Sequence, residues 1–113
     1  MPFDWDEAKN AANLKKHGVS FETAALTFDD PYALTQLDLA HFEEERFVTL
    51  GAIGPGSILF VVNVNYEGPG KQEVIRIISA RAATSRERKS YEEAYKRTEA
   101  RNRRHRSQER RRD

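Results

Sequence analysis

Residues 74–88 of the chain read Val74-Ile75-Arg76-Ile77-Ile78-Ser79-Ala80-Arg81-Ala82-Ala83-Thr84-Ser85-Arg86-Glu87-Arg88. The first half is a β-branched, apolar run of the length of one strand. The second half contains Thr84 and Glu87 at the spacing of a capping box, in which the threonine caps a helix and the glutamate bonds back to it. The sequence therefore predicts a strand that runs almost directly into a helix.

Four arginines surround this junction: Arg76, Arg81, Arg86 and Arg88. Arg76 interrupts the apolar strand itself, where an unpaired charge is unfavourable. One interpretation is a strand whose arginines face water. The other is an anion site, because arginine combines a fixed charge with a planar fork of donors that suits phosphate. The pattern alone leaves both interpretations open.

The composition predicts one domain with a modest core. The chain has 113 residues, of which 38% are hydrophobic and 33% are charged, and it contains no cysteine, which excludes disulfides and thiolate chemistry. The N-terminus lacks the basic and apolar regions of a signal peptide. No apolar run approaches the ~18 residues of a membrane span. We therefore expect a soluble, cytoplasmic protein.

The net charge of +1 is distributed unevenly. Residues 96–113 contain nine Lys or Arg and three Asp or Glu, whereas residues 1–95 contain ten basic and fifteen acidic residues. Basic tails are usually solvated and disordered, so we predict one domain at residues 1–100 and a disordered tail at residues 101–113. The alternative is a tail that is attracted to nucleic acid with little sequence choice.

Two helices are predicted near the N-terminus. The first has Asp4 as its N-cap and Glu7 at the capping-box position, and it ends at Gly18. The second begins after Ser20 and ends at residues 29–31, Asp-Asp-Pro. Helical spacing predicts that the buried side of the first helix is formed by Trp5, Ala8, Ala11, Ala12 and Leu14. The opposite, solvated side is predicted to carry Lys9, Asn13, Lys16 and His17.

The remaining core is predicted to be an antiparallel meander. The turns Gly54-Pro55-Gly56 and Gly68-Pro69-Gly70 separate the strands. Residues 32–39 are predicted to form a first strand followed by an irregular segment, and the further strands lie at residues 47–51, 57–65 and 73–79. A last helix begins at Thr84. We therefore predict an α+β fold, with two N-terminal helices packed on an antiparallel meander of three to four strands, followed by a C-terminal helix and a basic tail.

Several kinds of site are missing from the sequence. There is no glycine-rich phosphate loop, no G-x-S-x-G elbow and no His-Glu pair at metal spacing. His17, His41 and His105 lie far apart in the chain, so we predict neither a metal site nor a cofactor. Dinucleotide enzymes, zinc hydrolases and serine hydrolases are poor candidates.

Four blocks of sequence occur in one order and cover most of residues 3–95. They are Phe3–Lys9, Asn13–Phe21, Glu45–Phe47 and Arg76–Arg81, the last continued by Glu87-Arg88 and Tyr91. Together they resemble the BrnT family, the toxins of type II BrnT–BrnA toxin–antitoxin modules. The resemblance implies a RelE-like fold and a ribonuclease that inhibits translation. It also implies a BrnA-type antitoxin with a ribbon-helix-helix part that binds DNA, in a heterotetramer or larger complex.

The resemblance also implies a catalytic site that needs no metal. Arg76 and Arg81, from the matching Ile-Ser-Ala-Arg block, are expected to contact the phosphate or the transition state. Lys16 and His17 come from the matching Lys-His-Gly block, and His17 is a candidate for proton transfer. Glu45 is the candidate base. Strand alternation places Arg76 and Arg81 on opposite faces of a regular strand, so joint action requires the chain to turn near residue 80.

Four further residues are predicted to contact RNA, with the tyrosine stacking on a base: Arg46, Arg86, Arg88 and Tyr91. The chain departs from the family pattern at Asn65-Tyr66-Glu67, where many members have a basic residue. This departure leaves open a binding module with weak or no catalysis, acting with its antitoxin at DNA. A globular adaptor that binds no nucleic acid is a third possibility. The arginine-rich extension after residue 101 exceeds a minimal toxin, and RNA, the ribosome and the antitoxin are its candidate partners.

Overall fold

A five-stranded sheet and three α-helices form the part of the chain that the computed structural model describes, residues 2–41 and 45–111. The strands are β1 (Phe3–Asp4), β2 (Leu34–Leu37), β3 (Arg46–Gly54), β4 (Ser57–Glu67) and β5 (Glu73–Ala82), and the helices are α1 (Glu7–His17), α2 (Phe21–Ala25) and α3 (Ser85–Arg111). The strand order is β1-β5-β4-β3-β2. Strands β2 to β5 form an antiparallel meander, whereas β1 is parallel to β5. The α+β class is confirmed, but the sheet is mixed and has five strands instead of three to four.

Strand β1 occupies the position at which we predicted the cap of the first helix. Asp4 pairs with Arg76 of β5 and is therefore not the N-cap. The N-cap is Asp6, whose carboxylate accepts a hydrogen bond of 3.0 Å from the backbone N–H of Lys9. Gly18 ends α1 as predicted, in the left-handed conformation with φ 72°. A strand of two residues is too short to show the period-two pattern, which explains why it was missed.

The buried side of α1 is polar, so the predicted apolar side is wrong. Asn10 and Asn13 are each only 7% exposed. Asn13 donates to the carbonyl of Ala80 (2.8 Å) and accepts from its N–H (3.1 Å). Because β1 ends at Asp4, the Asn13 amide occupies the place of a neighbouring strand at this edge of β5. The exposed residues of α1 include Ala8, Ala11, Ala12 and Leu14.

The main core lies between the sheet and the segment formed by α2 and a 3₁₀ helix, Leu26–Asp29. Its buried residues are Phe21, Ala24, Leu59, Val61, Ile77 and Ala80, with Trp5 packed beside them. Gly51 of β3 permits the close approach of the 3₁₀ helix, since a Cβ there would stand 2.5 Å from the Thr27 side chain. On the other side of the sheet, α3 covers one end, where Tyr91 packs with Leu50 and Ile58.

Helix α3 continues through the segment that we predicted to be a disordered tail. It runs to Arg111 without interruption, and the chain contains no glycine or proline after Gly70. Arginine and glutamate are favourable helix residues, which accounts for this difference. Residues 101–106 are exposed. None of the helices in the described ranges is long and apolar enough to cross a membrane.

Candidate active site

A β-bulge places Arg76 and Arg81 on the same face of the sheet. Residues 62 and 63 of β4 pair with residues 79 and 77 of β5, so Ile78 is an extra residue on β5. A bulge of this kind shifts the alternation of side chains by one position. The predicted requirement for a turn near residue 80 is thus met by a bulge two residues earlier. The sheet face shared by the two arginines is opposite the face that packs on α2, because Leu59 and Val61 of β4 belong to the α2 side.

We call this side of the sheet the open face and define it by three rows of residues across the strands. The rows are Asp4–Arg76–Val64–Arg46, Ser79–Val62–Val48–Gln36, and Arg81–Phe60–Leu50–Leu34. Arg46 and Arg76 lie two strands apart, at about 10 Å. The row of Arg81 lies about 13 Å further along β4. Arginines therefore border an uncharged middle row on two sides.

Arg81 is held by the start of α3 and by an aromatic ring. Its guanidinium donates two hydrogen bonds to the carboxylate of Glu87, at 2.7 and 3.0 Å, and stacks 3.9 Å over the ring of Phe60. The predicted capping box is confirmed, because Thr84 N–H bonds to Glu87 and Glu87 N–H bonds to the Thr84 hydroxyl. The hydrogen bonds from Arg81 lower the pKa of Glu87. Arg81 keeps 35% of its side chain exposed, so it can still reach a ligand on the open face.

Arg76 is held by two residues that the sequence analysis did not assign to the site. Its guanidinium donates to a carboxylate oxygen of Asp4 at 2.5 Å, and the Tyr66 hydroxyl donates to the same oxygen at 2.9 Å. These hydrogen bonds, chiefly that from Tyr66, lower the pKa of Asp4. Asp4 lies in the first of the four family blocks, which was a usable signal. Tyr66 lies where the family pattern is broken.

The structure does not bring Lys16 and His17 to the open face. Both are exposed at the end of α1, which packs at the edge of β5 and against α2. Glu45 is exposed in the turn before β3, directly before Arg46. Arg46 is half-buried and belongs to the row of Arg76. Arg46, Arg76 and Arg81 thus share the open face, Glu45 lies at its end, and His17 lies away from it.

The three residues of α3 that we predicted to contact RNA, Arg86, Arg88 and Tyr91, occupy different environments. Tyr91 is only 6% exposed, and its hydroxyl donates to Asp30 at 2.5 Å; burial and Asp30 raise its pKa. Such a ring has no free face on which a base could stack. Arg88 donates to the carbonyl of Gly56 at 2.8 Å and so fastens α3 to the turn between β3 and β4. Arg86 is exposed on the first turn of α3.

A family model described as the ribonuclease toxin BrnT of type II toxin–antitoxin systems matches residues 5–87. The chain belongs to the BrnT family. The crystal structure of the Brucella abortus ribonuclease toxin BrnT is similar in fold, with a TM-score of 0.55 and 24% identity over 75% of this chain and 99% of that one. No curated protein sequence matches.

Membership of the BrnT family makes the chain one of a class of toxins that are paired with an antitoxin. The matched residues include strands β2 to β5 and the arginines of the open face but not β1, and they end at Glu87, in the first turn of α3. Within residues 2–41 and 45–111, no cluster of three or more His, Cys, Asp or Glu side chains is arranged to hold a metal ion. Arg46, Arg76 and Arg81 are the cationic side chains in the three rows of the open face.

The ion pair between Asp4 and Arg76 of this BrnT-family protein predicts how the stability of the fold depends on pH. A carboxylate whose pKa is lowered in the folded state stabilises the fold above its unfolded pKa, and loses this effect as the pH falls through the folded pKa. Asp4 and Arg76 are 37% and 36% exposed, so Asp4→Asn is expected to lower the melting temperature by only about 2–4 °C at neutral pH. At a pH of about 2, well below the ordinary pKa of an aspartate, the difference in melting temperature between the wild type and the variant should be smaller. Circular dichroism melts at both pH values measure this, and an equal difference at both would contradict it.

Proposed function

We propose that this chain is a ribonuclease toxin that cleaves RNA without a metal ion and thereby inhibits translation in the cytoplasm. The observation that carries the proposal is the bulge at Ile78, which places Arg76 and Arg81 on one open face together with Arg46. The α+β fold, with α2 on one side of the sheet and Arg46, Arg76 and Arg81 on the other, supports a RelE-like relationship. A BrnA-type antitoxin with a ribbon-helix-helix part would neutralise the toxin in a heterotetramer or larger complex.

Cleavage without a metal uses the ribose 2′-hydroxyl as the nucleophile. Its oxygen bonds to the adjacent phosphorus while the bond from phosphorus to the 5′-oxygen of the next nucleotide breaks. A base removes the 2′-proton and an acid protonates the departing 5′-oxygen, which leaves a 2′,3′-cyclic phosphate. The negative charge that develops on the phosphoryl oxygens needs preorganised cations. Arg76 and Arg81 fit this role because their partners hold the two guanidiniums in place on the open face.

The uncharged middle row of the open face suits an RNA strand that lies between the two arginine borders. Val48, Val62 and Ser79 in that row are half-buried, so a sugar or base could rest there with little loss of hydration. Glu45 is our proposed proton acceptor, since it is exposed beside the row of Arg46 and Arg76. The roles predicted for Lys16 and His17 have no support from this geometry and remain predictions.

The direct test is cleavage by the purified chain in the absence of metal. A single-stranded RNA should be cut at the same rate in excess EDTA and in Mg²⁺, with 2′,3′-cyclic phosphate ends, and the cognate antitoxin should stop the reaction. Induction of the chain alone should arrest growth and deplete intact RNA. Intact RNA after prolonged incubation would overturn the enzymatic proposal, and cleavage abolished by EDTA would overturn metal independence.

One observation favours the second candidate, a catalytically weak module that binds RNA or antitoxin. The guanidiniums of Arg76 and Arg81 are both bound to carboxylates, which reduces the positive charge that they present to a phosphate. The stretch Asn65-Tyr66-Glu67, moreover, stands where the family resemblance leads us to expect a basic residue. This candidate predicts that the purified chain binds its partners tightly and cleaves nothing under the conditions of the first test.

A further inference from the structure

The outer side of α3 carries a row of cations. Five exposed basic residues and one acid follow one another at intervals of three or four positions: Arg86, Lys89, Glu93, Arg97, Arg101 and Arg104. Residues at this spacing lie on one side of a helix. The row, which we call the basic ridge, extends over about 27 Å at 1.5 Å per residue.

The opposite side of α3 fixes the direction in which the basic ridge points. Tyr91 bonds to Asp30, the ring of Tyr95 lies 4.3 Å from that of Tyr32, and the Tyr32 hydroxyl donates to Glu99. Tyr91, Tyr95 and Glu99 are also four positions apart, but on the side of the helix opposite the ridge. These contacts hold α3 against the body of the protein and turn the ridge toward solvent.

The basic ridge begins at the open face. Helix α3 starts three residues after β5 ends, and Arg86 is adjacent in sequence to Glu87, which holds Arg81. Arg81 and the ridge therefore form a mainly basic series of side chains from the sheet along the helix, interrupted by Glu93. Most of the ridge lies beyond residue 87, where the family match ends. The match to the Brucella toxin includes 99% of that chain but only 75% of this one. A quarter of this chain therefore lies outside the matched fold and is available for an additional surface.

We propose that the basic ridge binds the phosphate backbone of the RNA that is cleaved on the open face. The proposal rests on the proposed function. The ridge presents five cations and one acid, and its largest apolar neighbour on this side is Ala100. Protein interfaces depend on buried apolar and aromatic side chains, whereas phosphate contacts need only exposed cations. The composition of the ridge therefore favours RNA over a protein partner. Its contribution is affinity, with little preference for sequence.

The test compares two triple variants that remove the same charge from the same helix. The ridge variant is Arg97→Gln, Arg101→Gln and Arg104→Gln, and the control is Lys96→Gln, Arg103→Gln and Arg106→Gln, whose residues are equally exposed but off the ridge. Binding is measured with a single-stranded RNA that lacks reactive 2′-hydroxyls. The ridge variant should bind at least about 10-fold more weakly, and its plot of log K against log salt should be shallower by about 2. The control should lose less than about 3-fold.

The same variants separate this proposal from the proposed function. With cleavable RNA, the ridge variant should show a raised KM and an unchanged kcat, because the ridge lies outside the open face. If both variants weaken RNA binding equally, the proposal for the ridge is wrong, because positive charge anywhere on α3 would then suffice. The proposal is also wrong if the ridge variant loses antitoxin binding but retains RNA binding. If the wild type binds RNA through the ridge but never cleaves it, the ridge stands and the nuclease proposal fails. Circular dichroism of each variant verifies that α3 is still helical.

Discussion

Arg81→Ala is expected to lower the rate of RNA cleavage about 100-fold at saturating RNA, because removal of one preorganised group that stabilises transition-state charge has effects of this size. The Arg81 guanidinium is already oriented by Glu87 and by the ring of Phe60. Little reorganisation is thus needed when the phosphoryl charge develops. The measurement is the initial rate with purified protein, and induction of the variant in cells should no longer arrest growth.

Glu87→Gln is the matched control for this prediction. Glutamine can still accept the capping bond from the Thr84 N–H, whose length to Glu87 is 2.9 Å, but it removes the charge that pairs with Arg81. If Arg81 acts on the phosphate, Glu87→Gln should change the rate by no more than a few-fold, since the glutamine oxygen can still accept a hydrogen bond from the guanidinium and the Phe60 ring still orients it. If Arg81 only fastens α3 to the sheet, Arg81→Ala and Glu87→Gln should lower the cleavage rate by the same factor and the melting temperature by the same amount. That result would remove Arg81 from the proposed catalytic groups.

The position of Arg81 also shows where inference from the sequence reaches its limit. Arg81 lies five positions after Arg76, an odd number, so regular alternation puts the two side chains on opposite faces. The extra residue at Ile78 reverses this result. A bulge depends on how β5 pairs with β4, and nothing in the β-branched run of β5 specifies it. The sequence predicted that joint action needs a departure from a regular strand near residue 80, and the structure provides it as a bulge at Ile78.

Local chemistry was the part of the fold that the sequence predicted well. The capping box of Thr84 and Glu87, the Ser20 cap of α2 and the stop at Gly18 all depend on a few neighbouring residues, and all three are present. Tertiary partners were not accessible in this way. Asp4 was assigned to a helix cap from its neighbours alone. Its actual partner, Arg76, lies on a strand 72 residues later and could not be inferred from the local sequence. The open face itself emerges only from these long-range pairings.

Asn13→Ala is expected to destabilise the fold by about 2–4 kcal/mol, because it leaves buried backbone groups without partners. The Asn13 amide serves both the N–H and the carbonyl of Ala80 and also donates to the carbonyl of Val19 at 2.8 Å. Ala80 is 1% exposed, so water cannot readily replace these bonds. Alanine itself suits the interior of a helix, and the loss therefore reports the lost hydrogen bonds. Urea unfolding of the purified proteins measures it.

The next residue along α1 provides the matched control. Leu14 was predicted to be buried and Asn13 to be solvated, but Leu14 is 51% exposed. Leu14→Ala should therefore destabilise the fold by less than about 1 kcal/mol, although a buried leucine would lose about 2–5 kcal/mol on the same change. Which of the two substitutions destabilises the fold more decides whether α1 packs through its apolar residues or through the contact of Asn13 with the edge of β5. A larger loss for Leu14→Ala than for Asn13→Ala would mean that α1 packs through its apolar side, and that the edge of β5 beyond β1 needs no amide to pair it.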